Sequence, residues 1–502
     1  MAVSRFAAIN IGSYELVMKL YEITSGKKLK VIDHIRYVME LGRETYKDQR
    51  LTFETIEKMC DILVDFQKIL EEYQITDYEA VATSGIREAD NAQIILDRIR
   101  VRTGMNVKLT SNSEQRLLTY KALEMYPEKF EEFTRGNTAI LDVGAGSIQI
   151  SLLDKKNIAS TQNIKIGSLR IRELLYNLSD NLHHFDTLLD ELINNELETF
   201  KRMFIKDKQI DTIIATGEQI TLFTKNTNTG AFDQLMSVDD YVEKYKILNA
   251  KSPEDVAKEL QVSSEQATIL IPCARIYGRF IEVAGAKNLW MPGTDICDGM
   301  AVDFGLRRKK LSTKHDFDED ILNEVRGMAK RYKSNLSHIQ ATSSLATDIF
   351  DVIKKVHGMG RRERLLLELS ALLHDCGKYI SIQSAADCSY NIIMATEIIG
   401  LSHKEREMIA KIVRYNTTPV EQEEDLSVIK LTAILRVANA LDRSHKQKFK
   451  DCRIELKEDE LIIHTKTKED ITLEKGLFGE KAEFFKEVYG IKVTIKQKKF
   501  SV

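Results

Sequence analysis

Proline and tryptophan are scarce in this chain, with 5 and 1 among 502 residues. So few prolines exclude long proline linkers, and beside many Lys, Glu, Ile and Leu they indicate a helix-rich protein. Excess charge is missing too: Lys plus Arg (73) nearly balances Asp plus Glu (76), so no global field points to nucleic acid or to a membrane surface. The six cysteines, Cys60, Cys273, Cys297, Cys376, Cys388 and Cys452, contain no C-x-x-C pair. That argues against a disulfide framework and a zinc ribbon, and for reduced thiols. No window approaches the ~20 apolar residues of a membrane span, and the N-terminus enters a strand-like run without a charged leader and apolar core. These absences point to a soluble, cytoplasmic protein. An apolar share of 43% is ample for real cores, and the length suggests several domains.

What is present centres on Ala139 to Asp154, A-I-L-D-V-G-A-G-S-I-Q-I-S-L-L-D. Two strand-like runs meet there through a small-residue turn, Gly144-Ala145-Gly146-Ser147, just after Asp142. Successive N–H groups in such a turn form a concavity for an anion such as phosphate. Asp142 cannot hold phosphate itself, but it can hold a hydrated Mg²⁺ that does. The other reading is a β-hairpin with a flexible tip. A second stretch, Phe6 to Tyr21, repeats the layout, with Asn10 in the place of Asp142 and Gly12 in the place of Gly144. Two like units a domain's length apart suggest an internal duplication with a ligand held between two lobes.

Around these turns the chain alternates strands and helices, as an α/β layer does. Lys28 to Met39 reads as a strand closed by a turn at Leu41-Gly42-Arg43, Thr52 to Tyr73 as a helix, and Ala80 to Ala82 as a buried strand. Thr83 to Ala89 then leads into a helix from Asn91 to Arg100, and Arg87 stands just past the strand end, where ligands are met in such sheets. Ser111 and Glu114 match a capping box, although a carboxylate at such a junction can equally orient an attacking water. Thr216 and Gly217 follow another buried strand and could add hydroxyl and N–H donors. Leu289 to Met300 reads as a last strand with a turn at Asp298-Gly299. From Asp318 to His445 the pattern is amphipathic helix, and from Cys452 to Lys499 short strands surround one helix.

Assembled, these motifs resemble the exopolyphosphatase and guanosine pentaphosphate phosphohydrolase (Ppx/GppA) family over nearly the whole chain. The resemblance implies an α/β protein with two actin-like, Hsp70-like (ribonuclease H-like) lobes, 1–130 and 131–306. It further implies an all-α HD-like domain at 307–448 and a small α+β region at 449–502. It implies hydrolysis of terminal phosphoryl groups from inorganic polyphosphate, or of the 5′ phosphate of guanosine pentaphosphate, with Mg²⁺ or Mn²⁺. Glu114, before Gln115-Arg116-Leu117, matches the glutamate implied to activate water. Gly12, Ser13, Arg87, Gly144, Ala145, Gly146, Ser147, Thr216 and Gly217 would meet phosphate, and Asp142 matches the metal-associated aspartate. Asn10 and Gln149 stand where the family has carboxylates, so a cation gains less charge there. Glu15 could restore one charge if it faces the cleft. The amides also fit a third reading, a non-catalytic phosphate or nucleotide sensor. In the helical region His374, Asp375 and Asp442, with His338, could form an HD-type metal site, or His374 and Asp375 could be a hydrogen-bonded structural pair. The resemblance also implies a homodimer.

Overall fold

The alternation in Phe6 to Tyr21 becomes a hairpin in which β1 (Ser4–Ile11) and β2 (Glu15–Ile23) pair antiparallel, with Asn10 opposite Val17. The computed structural model describes residues 4–24, 28–178, 185–224 and 234–497. With β3 (Leu29–Val38), β4 (Tyr78–Ala82) and β5 (Val107–Leu109), the hairpin forms a sheet of order β3-β2-β1-β4-β5, in which β1, β4 and β5 run parallel. The second sheet comprises β6 (Asn137–Val143), β7 (Ile148–Asp154), β8 (Asn157–Ile164), β9 (Thr212–Thr216), β10 (Gln234–Ser237) and β11 (Asn288–Met291). Its order is β10-β11-β9-β6-β7-β8. Apart from the edge strand β10, the two orders are the same. The duplication suggested by two like turns is therefore a duplication of a whole sheet, and each turn follows the middle strand of its sheet.

The helices form where the period of apolar residues places them. Phe53–Glu72 buries Ile56, Met59, Cys60, Leu63, Phe66 and Leu70, and its N-cap Thr52 accepts a hydrogen bond from the Thr55 N–H. Two local expectations are corrected. Leu41 to Asp48 is a helix rather than a turn ending β3. Asp298-Gly299 lies inside the helix Ile296–Arg307, whose N-cap is Asp295. Asp295 holds the Cys297 and Asp298 N–H groups, so a strand-side turn was not needed to start that helix.

This helix also shifts a boundary. It was expected in the second lobe, but Ile296, Met300, Ala301 and Phe304 share a core with Phe6, Ala8, Val17 and Tyr21 of the first sheet. A Cβ on Gly299 would overlap the Leu118 carbonyl, so this helix and Asn112–Ala122 cross with their backbones almost touching. The two chain units divide at 316/317.

In the second unit, the principal helices are Phe317–Arg331, Leu336–Val352, Arg361–Leu373, Ala385–Ala395, His403–Tyr415 and Leu426–Leu441. They are followed by β12 (Arg453–Lys457), β13 (Glu460–Thr465), the helix Thr472–Tyr489 and β14 (Lys492–Gln497). Ile349, Ile434 and Leu435 share one core with Leu461, Ile463 and Phe485, so the expected regions 307–448 and 449–502 have no separate cores. Lys499, the expected end of the last strand, lies outside the described residues. No described helix is long and apolar enough to cross a membrane.

A buried ion network fixes the helix Ile296–Arg307 to the first sheet. Lys19 Nζ on β2 lies 2.7 Å from Asp295 Oδ2 and 2.9 Å from Asp298 Oδ2, and Tyr21 Oη donates to Asp298 Oδ1 at 2.9 Å. Lys19 and Asp298 are 7% and 2% exposed. Breaking a pair at such depth leaves an uncompensated charge, which costs about 3–5 kcal/mol, whereas an exposed helical pair is worth about 0.3–0.5 kcal/mol. Lys19→Met is thus expected to lower unfolding stability by about 3–5 kcal/mol in denaturant titration. Lys58→Met, which removes the exposed pair with Glu54, should leave it essentially unchanged.

Candidate active site

The turns after β1 and β6 face one another across a cavity of about 110 Å³. Its wall includes Asn10, Gly12, Ser13, Asp142, Gly144, Ala145, Gly146, Ser147 and Gln149, so most of the expected site is brought together. Local pairing explains the convergence. Asp142 is opposite Gln149 in the β6–β7 hairpin and beside Thr216 in the parallel β6–β9 pair. Gly12 N–H and Gly144 N–H close the two turns on the carbonyls of Glu15 and Ser147. The remaining N–H groups of Ser13, Tyr14, Ala145, Gly146 and Ser147 donate to no acceptor among the described residues. N–H groups left unengaged beside a cavity have the chemistry to take an anion.

Oxygens without partners converge on the same space. Asn10 Oδ1 and Gln149 Oε1 are buried with no hydrogen bond, and the Asp142 carboxylate has no partner among the described residues. Burial pushes the Asp142 carboxyl up to about 7, Asp295 adds to the rise, and Arg116 opposes it. One carboxylate and two amide oxygens fit a hydrated Mg²⁺, which retains waters and needs only one or two carboxylates plus substrate oxygens.

The wall carries four acids, Glu15, Asp142, Glu218 and Asp295, and among the described residues no Lys, Arg or His. The nearby arginines link the two lobes instead. Arg36 on β3 binds Glu15 on its own sheet and Glu218 beyond β9, each at 2.5 Å. Arg172 reaches Glu40 at 2.7 Å, and Arg170 reaches Glu88 at 2.7 Å while covering the Tyr46 ring at 3.9 Å. Beneath Arg170, Ser13 Oγ, Ser84 Oγ and Tyr46 Oη form a hydroxyl cluster, with Tyr46 donating to Ser13 at 2.7 Å and the serines 2.8 Å apart. A Cβ on Gly146 would overlap the Tyr46 hydroxyl, so glycine lets the second turn close on the first lobe.

Several expected residues stand elsewhere. The capping box at Ser111 forms: Glu114 Oε2 accepts from the Ser111 N–H at 2.9 Å, and Glu114 Oε1 binds Lys108 at 2.6 Å. The helix face that lines the cavity belongs instead to Gln115 and Thr119. Arg87 donates to the Thr110 carbonyl at 2.7 Å and to Asn112, which ties the end of β5 to β4 and keeps it off the cavity wall. Thr216 is buried, with its hydroxyl 3.4 Å from the Leu141 carbonyl, and the Gly217 N–H donates to Thr294, so neither group is free for an anion. Gly217 does line the cavity, at φ +98°.

Sequence reasoning passed over Glu218 and Asp295, and took Ser84 only as part of the segment Thr83 to Ala89. The duplication contained the signal. Ser84 follows β4 as Glu218 follows β9, and Asp295 starts the helix after β11 as Ser111 starts the helix after β5. Glu15, left open by sequence, lines the cavity.

In the second unit, His338 Nδ1 lies 2.9 Å from Asp442 Oδ2, and the Nε2 atoms of His338 and His374 are 3.2 Å apart. His374 Nδ1 donates to the Ala371 carbonyl at 2.6 Å, and burial, with His338 adjacent, pulls its pKa down to about 4. Asp375 turns away to Lys378. Among the described residues no three His, Cys, Asp or Glu side chains are placed to hold a metal together. Of the expected HD-type ligands, His374 and Asp442 therefore form a hydrogen-bonded cluster with His338, and Asp375 pairs with Lys378.

Two sheets of one topology, with a polar cleft at the ends of their middle strands, define an actin-like two-lobed protein followed by a helical unit. Sequence profiles go further. The profile described as the Ppx/GppA phosphatase family matches residues 20–300, and that of Ppx/GppA phosphatase, domain III, matches 322–481. The chain belongs to the Ppx/GppA phosphatase family. It is 19% identical to the guanosine-5'-triphosphate,3'-diphosphate pyrophosphatase of Photobacterium profundum over 444 residues, 86% of this chain and 85% of that protein. Exopolyphosphatase 1 of Mycobacterium leprae is 20% identical over 329 residues, 64% of this chain and 94% of that protein. The crystal structure of an Aquifex aeolicus Ppx/GppA family member shares the fold with a TM-score of 0.52 at 22% identity, covering 63% of this chain and 100% of that one.

The contact between the turn and the hydroxyl cluster gives a direct test. Gly146→Ala should cost about 1–3 kcal/mol in thermal or denaturant unfolding, as overpacking does. Adding Tyr46→Phe, which removes the overlapped oxygen, should restore part of that loss in a double-mutant cycle.

Proposed function

We infer that this family phosphatase is an exopolyphosphatase, releasing orthophosphate from the end of inorganic polyphosphate. The observation that carries this reading is the pairing of unengaged turn N–H groups with the unpartnered oxygens of Asn10, Asp142 and Gln149 in one small cavity. Pockets for drug-sized ligands run ~300–1,000 Å³, so a space of about 110 Å³ suits a terminal phosphoryl group and its water better than a nucleoside. Tyr14 is the single aromatic side chain on the described wall, which offers a guanine base little to stack on. The name of the Mycobacterium leprae relative supports the same substrate.

In this mechanism the Ser13, Tyr14 and Ala145 to Ser147 N–H groups bind the terminal phosphoryl oxygens and fix them in line with a water. Mg²⁺ or Mn²⁺, held by Asp142 with Asn10 and Gln149, would supply the positive charge that the described wall lacks. Phosphoryl transfer depends mainly on positioning and charge stabilisation, so these donors carry most of the effect. The arginine–glutamate links between the lobes keep the donors of both turns on one substrate.

Phosphate release from long-chain polyphosphate with Mn²⁺ or Mg²⁺ tests the reading, with guanosine pentaphosphate as the competing substrate. Faster turnover of the nucleotide would reassign the substrate. Binding without release from either would favour the sensor that Asn10 and Gln149 also fit. Asp142→Asn should reduce turnover by about 10²-fold or more, as loss of a key electrostatic group does. Protonation of Asp142 competes with the cation. With its carboxyl held near 7, apparent Mn²⁺ affinity measured by calorimetry should fall about tenfold from pH 8 to pH 6. The Asn variant should lose that pH dependence.

A further inference from the structure

The helix Leu41–Asp48 contributes no residue to the described cavity wall, yet it is fastened to two strand ends of the first lobe that do. The Gly42 N–H donates to the Ser13 carbonyl at 2.7 Å, and Thr45 Oγ1 donates to the Gly85 carbonyl at 2.6 Å. These bonds hold the next side chain, Tyr46, over the hydroxyls of Ser13 and Ser84. Both serines line the cavity, and they are only 5% and 8% exposed, so their hydroxyls can turn to one another or to a ligand but not to open water. Tyr46 Oη donates to Ser13 Oγ at 2.7 Å, the serine oxygens are 2.8 Å apart, and Ser84 Oγ lies 3.1 Å from Tyr46 Oη. Among the described residues the three hydroxyls bond only to one another.

We propose that Tyr46 is a positioning residue for the hydrolase: through Ser13 it orients the Ser84 hydroxyl as a donor to a phosphoryl oxygen in the cavity. The proposal rests on the phosphoanhydride hydrolase reading. A hydroxyl has one proton to give and two lone pairs to accept with, so the cluster has a direction. The Tyr46 proton is committed to Ser13, and a hydroxyl that accepts becomes the better donor. Ser13 then gives its own proton to Ser84. Ser84 keeps one proton, which goes back to Tyr46 across the longest of the three contacts or outward to an oxygen in the cavity. Binding a phosphoryl group therefore breaks only the weakest bond of the ring. Burial raises the Tyr46 hydroxyl above its ordinary range, against the pull of Ser13, Ser84 and Arg170, so the phenol keeps its proton and remains a donor. Arg170 completes the arrangement from the second lobe. Its guanidinium covers the Tyr46 ring at 3.9 Å, its Nε donates to the Gly146 carbonyl at 3.0 Å, and it binds Glu88 at 2.7 Å. The second turn is thus held against the same phenol that directs the serines. Hydroxyls of the first lobe and N–H groups of the second then meet one phosphoryl group.

The test is a kinetic double-mutant cycle on polyphosphate hydrolysis with Mn²⁺, using the parent, Tyr46→Phe, Ser84→Ala and the double variant, with melting temperatures recorded alongside. Phenylalanine keeps the ring beneath Arg170 and removes only the oxygen. Ser84→Ala should lose about 10²-fold in kcat, as removal of one donor to the reacting group does. Tyr46→Phe should lose about tenfold, since it loosens that donor without removing it. KM should stay within about threefold in both, because the bond strengthens as charge develops on the phosphoryl oxygens. The double variant should turn over no more slowly than Ser84→Ala, since Tyr46 acts through that hydroxyl. A merely structural role would lower the melting temperature and slow the Ser84→Ala background as much as the parent. An active parent with equal Tyr46→Phe effects in both backgrounds, or with no Tyr46→Phe effect on kcat, overturns this proposal and leaves the hydrolase reading intact. A folded parent inactive on both polyphosphate and guanosine pentaphosphate overturns the hydrolase reading and this proposal together.

Discussion

The contact between Lys19 and the two aspartates of the last helix in the first unit holds the cleft in shape. Lys19 and Asp298 lie out of water there with Asp295 at the edge of the cleft, and each depends on the others for compensation. Their geometry binds the helix Ile296–Arg307 to β2, although its chain arrives from the second sheet. Asp295 thereby reaches the cavity wall as a helix cap and as a counter-ion at once. The same charge is among those that push the Asp142 carboxyl upward. A network that first serves to pin a helix thus also adds to the rise that burial imposes on the Asp142 carboxyl.

The electrostatics of the cleft reverse a simple expectation for a polyanion site. Among the described residues no cation lines it; the nearby ones stand behind its acids or bridge its lobes. Anion recognition then falls to backbone N–H groups, which need no counter-ion and cost no reorganisation when held in a fixed turn. A bound divalent cation completes the charge balance in the proposed function. The glycines follow from the same need, since Gly146 lets the second turn lie against the Tyr46 hydroxyl of the first lobe.

Much of the site was legible because it sits in turns whose composition is itself the function. Asn10, Gly12, Asp142, Gly144 and Gln149 occupy strand ends and tight turns, where small residues and a lone carboxylate have few other reasons to cluster. Glu114 and Arg87 show the limit of that logic. Both stand at strand-to-helix junctions, where polar side chains also satisfy free backbone groups, and here Ser111, Lys108, Thr110 and Asn112 engage them. The His338 cluster is a parallel case in the helical unit, where residues with ligand-like chemistry bond chiefly to one another.

The sequence by itself determined the periodicities, the caps and the two like turns, because these depend on neighbours within a few residues. It therefore determined two repeated α/β layers and a helical region after them. Only the tertiary structure decided which side of a junction faces the cleft, because that depends on the rotation of each helix against a distant sheet. It decided that the helix after β11 packs on the first sheet rather than its own. It also decided that Glu15 and Glu218, far apart in the chain and unremarkable alone, share one arginine across the gap between lobes. The raised carboxyl of Glu218 comes from burial and from Glu15 beside it, and neither influence exists until the two sheets meet.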